Sequence, residues 1–198
     1  MEGQAFLDRV FARLKTAQRN GYHFDHWSFG GKPTDEGIGV LAMPGVDAEK
    51  LIARVMDVDH YRGNIDHVLE SRSVKDARFT PPQQVRFYQR IDIPLLSELH
   101  QELVLVDGGT RDGWRYAWWY LLDKETEILS PKVAARSGYN FGGWFVAPGV
   151  VAYALSSAPR KEDLGFLKWK ALTTGADAAA SKVVRANIEG MSRWASRG

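Results

Sequence analysis

The chain of 198 residues contains no cysteine. This removes disulfides, thiolate nucleophiles and cysteine-held metals, and it fits a reducing compartment. A basic run is also missing. Twenty-six Lys and Arg are interleaved with 24 Asp and Glu, and the formal charge of +2 is too mild to suggest nucleic acid as a partner. No apolar stretch approaches the ~20 residues of a membrane helix. The segment 1–20 is charged throughout, unlike a signal peptide, so the cytoplasm is the default expectation. Catalytic signatures are scarce. No G-x-S-x-G occurs, and Ser137-Gly138 and Ser156-Ser157 lack an identifiable base. Gly30-Gly31, Gly108-Gly109 and Gly142-Gly143 match neither a P-loop nor a dinucleotide fingerprint and read as turns or bulges. His23 and His26 have a metal-compatible spacing only on a helix, and their segment reads as non-helical. Neither a metal nor another cofactor is expected.

What is abundant is aromatic surface: seven Trp, seven Tyr and nine Phe. So many rings suggest a wide core or a cavity with aromatic walls. Phe6, Leu7, Val10, Phe11 and Leu14 predict an amphipathic helix within 1–20, ended by Gly21. Asp47 reads as the N-cap of a second helix through Leu51, Ile52 and Val55. Before it lies a short strand, Ile38 to Met43. After it the period falls to two, predicting strands at 65–75, 84–93, 101–107, 114–122, 132–137, 142–147 and 150–156. Turn chemistry separates them at Pro81-Pro82, Asp107-Gly108-Gly109, Asp123-Lys124, Ser137-Gly138 and Pro148-Gly149. Residues 176–197 hold a single helical stripe of Ala180, Val184, Ile188, Met191 and Ala195. No linker or repeat interrupts the chain, so residues 1–198 form one α+β domain. Short connections favour an antiparallel meander, and a sheet of that many twisted strands curls. One helix lying across the concave side cannot fill it, so an internal space remains.

This order resembles the START and polyketide-cyclase-like superfamily, the helix-grip or Bet v 1-like fold. The resemblance rests on Ile38 to Met43 with Asp47-Ala48-Glu49, on Asp57-Val58-Asp59-His60-Tyr61 entering Ile65 to Arg72, and on VRFYQRIDIP at 85–94. Gly142-Gly143-Trp144-Phe145-Val146-Ala147-Pro148, the following Val150 to Leu155 and the closing helix complete it. Where many members carry an Arg-Asp pair after the strand like 85–94, His100-Gln101 stands here. The resemblance implies a curved antiparallel sheet wrapped around the C-terminal helix, with an extra N-terminal helix. It also implies a cavity for a lipid, sterol, quinone or polyketide-like molecule. The N-terminal helix reads first as docked on the domain, with a transient membrane-surface contact as the alternative; oligomeric state is left open.

Candidate wall residues are Tyr88, Arg90, Trp118, Arg136, Trp144 and Tyr153. Alternation puts Trp114, Tyr116, Trp118 and Tyr120 on one face of a strand and Arg115, Ala117 and Trp119 on the other. The first set reads either as an aromatic cavity wall or as ordinary sheet core and edge shielding. If strand 101–106 pairs across the Asp-Gly-Gly loop, Glu102 lies near Trp118. An inward Arg90 or Arg136 would hold a carboxylate or carbonyl by charge-assisted hydrogen bonds; otherwise both belong to the solvated face. The leading expectation is a carrier of a hydrophobic small molecule. One alternative is an aromatase or cyclase using His100 with Glu102 or Tyr88. Another is an interaction module whose cavity is filled by its own side chains.

Overall fold

The computed structural model describes residues 2–93, 97–122, 129–175 and 177–197. Helix α1 (Glu2–Leu14) precedes strands β1 (Tyr22–Trp27) and β2 (Glu36–Ala42). Helix α2 (Ala48–Met56) and a 3-10 turn at Val58–His60 lead into β3 (Val68–Ser73), β4 (Gln84–Ile93), β5 (Ser97–Arg111), β6 (Trp114–Leu121), β7 (Ala135–Ala147) and β8 (Val150–Pro159). Short helix α3 (Lys161–Leu164), α4 (Phe166–Gly175) and the long α5 (Asp177–Ser196) close the chain. The expected cap on α2 is present: the Asp47 carboxylate accepts from the Lys50 amide at 3.0 Å, satisfying one free N–H of the first turn. The expected turn at Asp123-Lys124 and the Pro94 end of the strand at 85–94 lie outside the described residues.

The eight strands form one curved sheet in the order β1-β2-β8-β7-β6-β5-β4-β3, with every neighbouring pair antiparallel. Beyond the end of the shorter β6, β5 also meets β7 in a short parallel ladder, Leu99 to Ala135 and His100 to Arg136. Two expected strand breaks are bulges instead. The register shifts between Asp107 and Gly109 within β5, where the Asp107 carboxylate accepts from the Gly109 amide, and between Ser137 and Tyr139 within β7. The hairpin after β5 therefore turns at Asp112-Gly113, both with positive φ. Trp118 consequently pairs with Val106, and Glu102 lies four residues away from the partner that a turn at Asp107 implied.

Each face of the sheet has its own core. The stripe of α1 buries Phe6, Leu7, Val10, Phe11 and Leu14 on the convex side against Ile38, Val40, Phe145, Ala152 and Ala154. On the concave side α5 lays Val184, Ile188, Met191 and Ala195 against α2 and the inner faces of β2 and β8. Gly39 permits the closest approach, since a Cβ there would overlap Val184.

Candidate functional site

Between α5 and the concave faces of β4 to β8 lies a cavity of about 460 Å³, open on one side. Its wall follows from strand alternation. β4 contributes Phe87, Gln89, Ile91 and Ile93, and β5 contributes Leu99, Gln101, Leu103 and Leu105. Trp119, Asn140, Trp144, Tyr153 and Leu155 come from β6 to β8. The Tyr153 ring lies 4.6 Å from that of Trp144 and 5.7 Å from that of Trp119, an aromatic floor under the space. Helix α4 covers part of it through Ala171 and Leu172, and α5 through Ala180, Val183, Val184 and Asn187. The exposed lining residues His26, Asp66, His67 and Asp92 mark the open side.

Within this apolar wall runs one polar chain. The Trp119 indole N–H donates to Asn140 Oδ1 at 2.8 Å. Asn140 Nδ2 and the Ser137 hydroxyl both donate to Gln101 Oε1, at 2.8 and 2.6 Å, and Gln101 Nε2 donates to Gln89 Oε1 at 3.0 Å. The phenols of Tyr61 and Tyr153 are pushed well above the ordinary tyrosine range by burial, so both remain protonated donors at any physiological pH. Tyr61 gives its hydrogen to the Val55 carbonyl. At the rim, Asp35 bonds His26 and accepts from the Ser28 hydroxyl, and these contacts hold its carboxyl below the usual range.

The structure divides the six residues named from the sequence. Trp144 and Tyr153 line the cavity. Tyr88, Arg90, Trp118 and Arg136 do not. Alternation alone does not say which face of a strand turns inward. Trp118 lies under α1, where a Cβ on Gly3 would come within 2.7 Å of its ring. Arg90 Nη1 bonds Glu98 at 3.0 Å. Arg136 is tied to Asp163 at 2.8 and 2.9 Å, which holds that carboxyl below its usual range. Tyr88 Oη lies 3.3 Å from His100 Nδ1, behind the sheet as seen from the cavity. His100 is fully buried there, its Nε2 has no hydrogen-bond partner among the described residues, and desolvation with the nearby Arg136 pushes its pKa down. That placement keeps His100 and Glu102 from reaching a molecule in the cavity.

Gln89, Gln101 and Asn140 were missed as site residues. A signal existed: each of β4 and β5 carries one neutral amide in the middle of an otherwise apolar alternate stripe. Gln101 had stood out only as a departure from a family pattern.

Neither a protein-family model nor a curated protein sequence matches the chain. Solved structures do. The STAR-related lipid transfer protein of Xanthomonas axonopodis superposes with a TM-score of 0.70 at 15% identity, over 90% of this chain and 96% of that one. Human StAR-related lipid transfer protein 5 gives 0.66 at 12% identity, over 98% and 95%. The Zhui aromatase/cyclase from Streptomyces sp. R1128 gives 0.54 at 13% identity, over 88% and 95%. With a curved eight-stranded antiparallel sheet gripping a long C-terminal helix, the chain has the START-like helix-grip fold.

Proposed function

We propose that this protein binds a hydrophobic small molecule in the cavity under α5 and carries or presents it. The observation that supports this reading is the hollow itself: about 460 Å³, walled by leucine, isoleucine and aromatic side chains with a few convergent polar groups. Affinity would come from apolar area removed from water, worth about 25 cal/mol per Å². The likeness to lipid-transfer domains and to an aromatase/cyclase supports the same reading. Helix α4 is the element that moves to admit the molecule, since Ala171 and Leu172 cover the space from one side. Its first residues, Phe166 and Leu167, are 71% and 79% exposed beside Lys168 and Lys170. They make a transient contact with a membrane surface in this proposal.

Native mass spectrometry of the purified protein, followed by solvent extraction, tests the reading. A co-purifying apolar mass is expected, or failing that, binding to members of a panel of lipids, sterols and quinones. Leu155→Trp, which fills the space, should weaken that binding at least ~10-fold, about 1.4 kcal/mol. A protein that is empty and inert to the whole panel would sink the carrier and leave an interaction module in its place.

A further inference from the structure

The cavity has a marked chemical bias. Among the described lining residues there is no lysine and no arginine. The two arginines that might have supplied a cation, Arg90 and Arg136, are committed to Glu98 and Asp163 on other sides of the sheet. At the open side stand Asp66 and Asp92, exposed carboxylates without an ion-pair partner among the described residues. A carboxylate or phosphate entering this space would pass these carboxylates and then lose its hydration with no lysine or arginine among the described lining residues to pair with, which is unfavourable.

The polar chain points the same way and adds a direction. Donors run from Trp119 to Asn140 to Gln101 to Gln89, so the side-chain oxygens of Asn140, Gln101 and Gln89 each accept from the protein. At the end of the chain, the Gln89 amide nitrogen has no protein acceptor among the described residues, although it carries two hydrogens. The unmatched capacity beside the void is therefore N–H, which seeks an oxygen acceptor. Neutral amide hydrogens match a carbonyl or hydroxyl oxygen without a charge to balance.

We infer that the ligand is an uncharged amphiphile whose polar end is a carbonyl or hydroxyl oxygen hydrogen-bonded to the Gln89 amide, and that anionic amphiphiles are rejected. This rests on the carrier reading above and narrows it. Free fatty acids in their ionised form and lipids with an unmatched phosphate fall outside the class. Alcohols, ketones, quinones and sterols fall within it.

A matched pair of probes tests the inference: dodecan-1-ol and dodecanoic acid, titrated into the full-length protein by calorimetry between pH 6 and 8. The alcohol should bind with an affinity that does not change with pH. The acid should bind only after taking up a proton, so its apparent affinity should fall roughly 10-fold for each pH unit above its pKa. At pH 8 it should trail the alcohol by at least ~100-fold. Dodecanoate binding at pH 8 within tenfold of the alcohol would overturn the inference while leaving the carrier standing. If neither probe binds and the lipid, sterol and quinone panel is also inert, the carrier falls and takes this inference with it. Gln89→Leu, with an unchanged melting temperature as the control, should weaken the alcohol roughly 5- to 10-fold by removing the donor. Equal affinity for that variant and the wild type would remove Gln89 from its assigned role.

Discussion

Trp118 and Trp119 are neighbours in the chain and live in different cores. Trp118 lies beneath α1, where Gly3 makes room for its ring in the convex core. Trp119 faces the other way, bonds Asn140 and borders open space. The same strands build both cores from alternate residues, so propensity and composition cannot account for the difference. The covering helix can. The stripe of α1 meets β2, β7 and β8 through five large apolar residues, whereas α5 touches down on β2, β8 and α2 and borders the cavity beyond them. A hollow is a property of how a helix leaves a sheet.

The largest expected effect separates the two cores directly. Phe145 is fully buried, 5.4 Å from Phe11 in an edge-to-face pair. Phe145→Ala should cost about 3–5 kcal/mol in urea unfolding. Leu155→Ala, at a half-buried position already beside empty space, should cost no more than about 1–2 kcal/mol. Equal losses would mean that the concave side is as closed as the convex one.

Next comes the charged part of the convex face. Glu102 is 1% exposed and bonds Arg86 at 2.7 Å, while Arg86 also reaches Asp76 at 3.0 Å. Arg86→Ala deprives a buried carboxylate of this cation and should destabilise by about 3 kcal/mol or more. Ligand binding on the far side should stay within twofold, as titration of the variant would check.

Gly142 sharpens the comparison from the concave side. A Cβ there would overlap the Trp119 ring. Gly142→Ala should cost about 1–3 kcal/mol by displacing that ring. Unlike the Arg86 change it should also alter binding, because Trp119 anchors the polar chain.

The smallest effect is a pH dependence confined to the convex face. The folded-state pKa of His100 lies below its ordinary value of about 6.5. Below that value the unfolded chain takes up the proton more readily than the folded one. This contribution to stability is therefore complete at higher pH and is lost as pH falls below about 6.5. His100→Gln should flatten this part of the urea midpoint against pH. The acidic groups packed nearby, such as Asp163, are common to both proteins and cancel in the comparison.

Much of the architecture was legible in the sequence because it rests on periodicity. The stripe of Val184, Ile188, Met191 and Ala195 in α5, the Asp47 cap and the 84–93 strand are all read from local spacing. The errors fall where two local meanings share one signal. Asp107-Gly108-Gly109 and Ser137-Gly138 have the composition of a turn, and a bulge inside a long strand uses the same residues for the same positive-φ or close-packing reasons. The site was half legible for a different reason. Alternation sorts residues into two faces but leaves the choice of inward face to tertiary contact, so Trp144 and Tyr153 line the hollow while Trp118, Tyr88, Arg90 and Arg136 do not. Two of those four are arginines, and their attraction to a cavity reading came from charge. Gln89 and Gln101 were not legible because an uncharged amide fits a pleated stripe without any charge pattern to mark it as a site.

Gly39 sets a scale for the whole chamber. It is the pivot of a clothes-peg: the Val184 side chain of α5 rests on the β2 backbone where Gly39 presents no side chain of its own. A larger residue at that fulcrum would push α5 away from β2 and change the space between them. Under the proposed function, the width of the chamber thus has a target set apart from the amides that would meet a ligand. Capacity and chemistry can be tuned by separate changes to the chain.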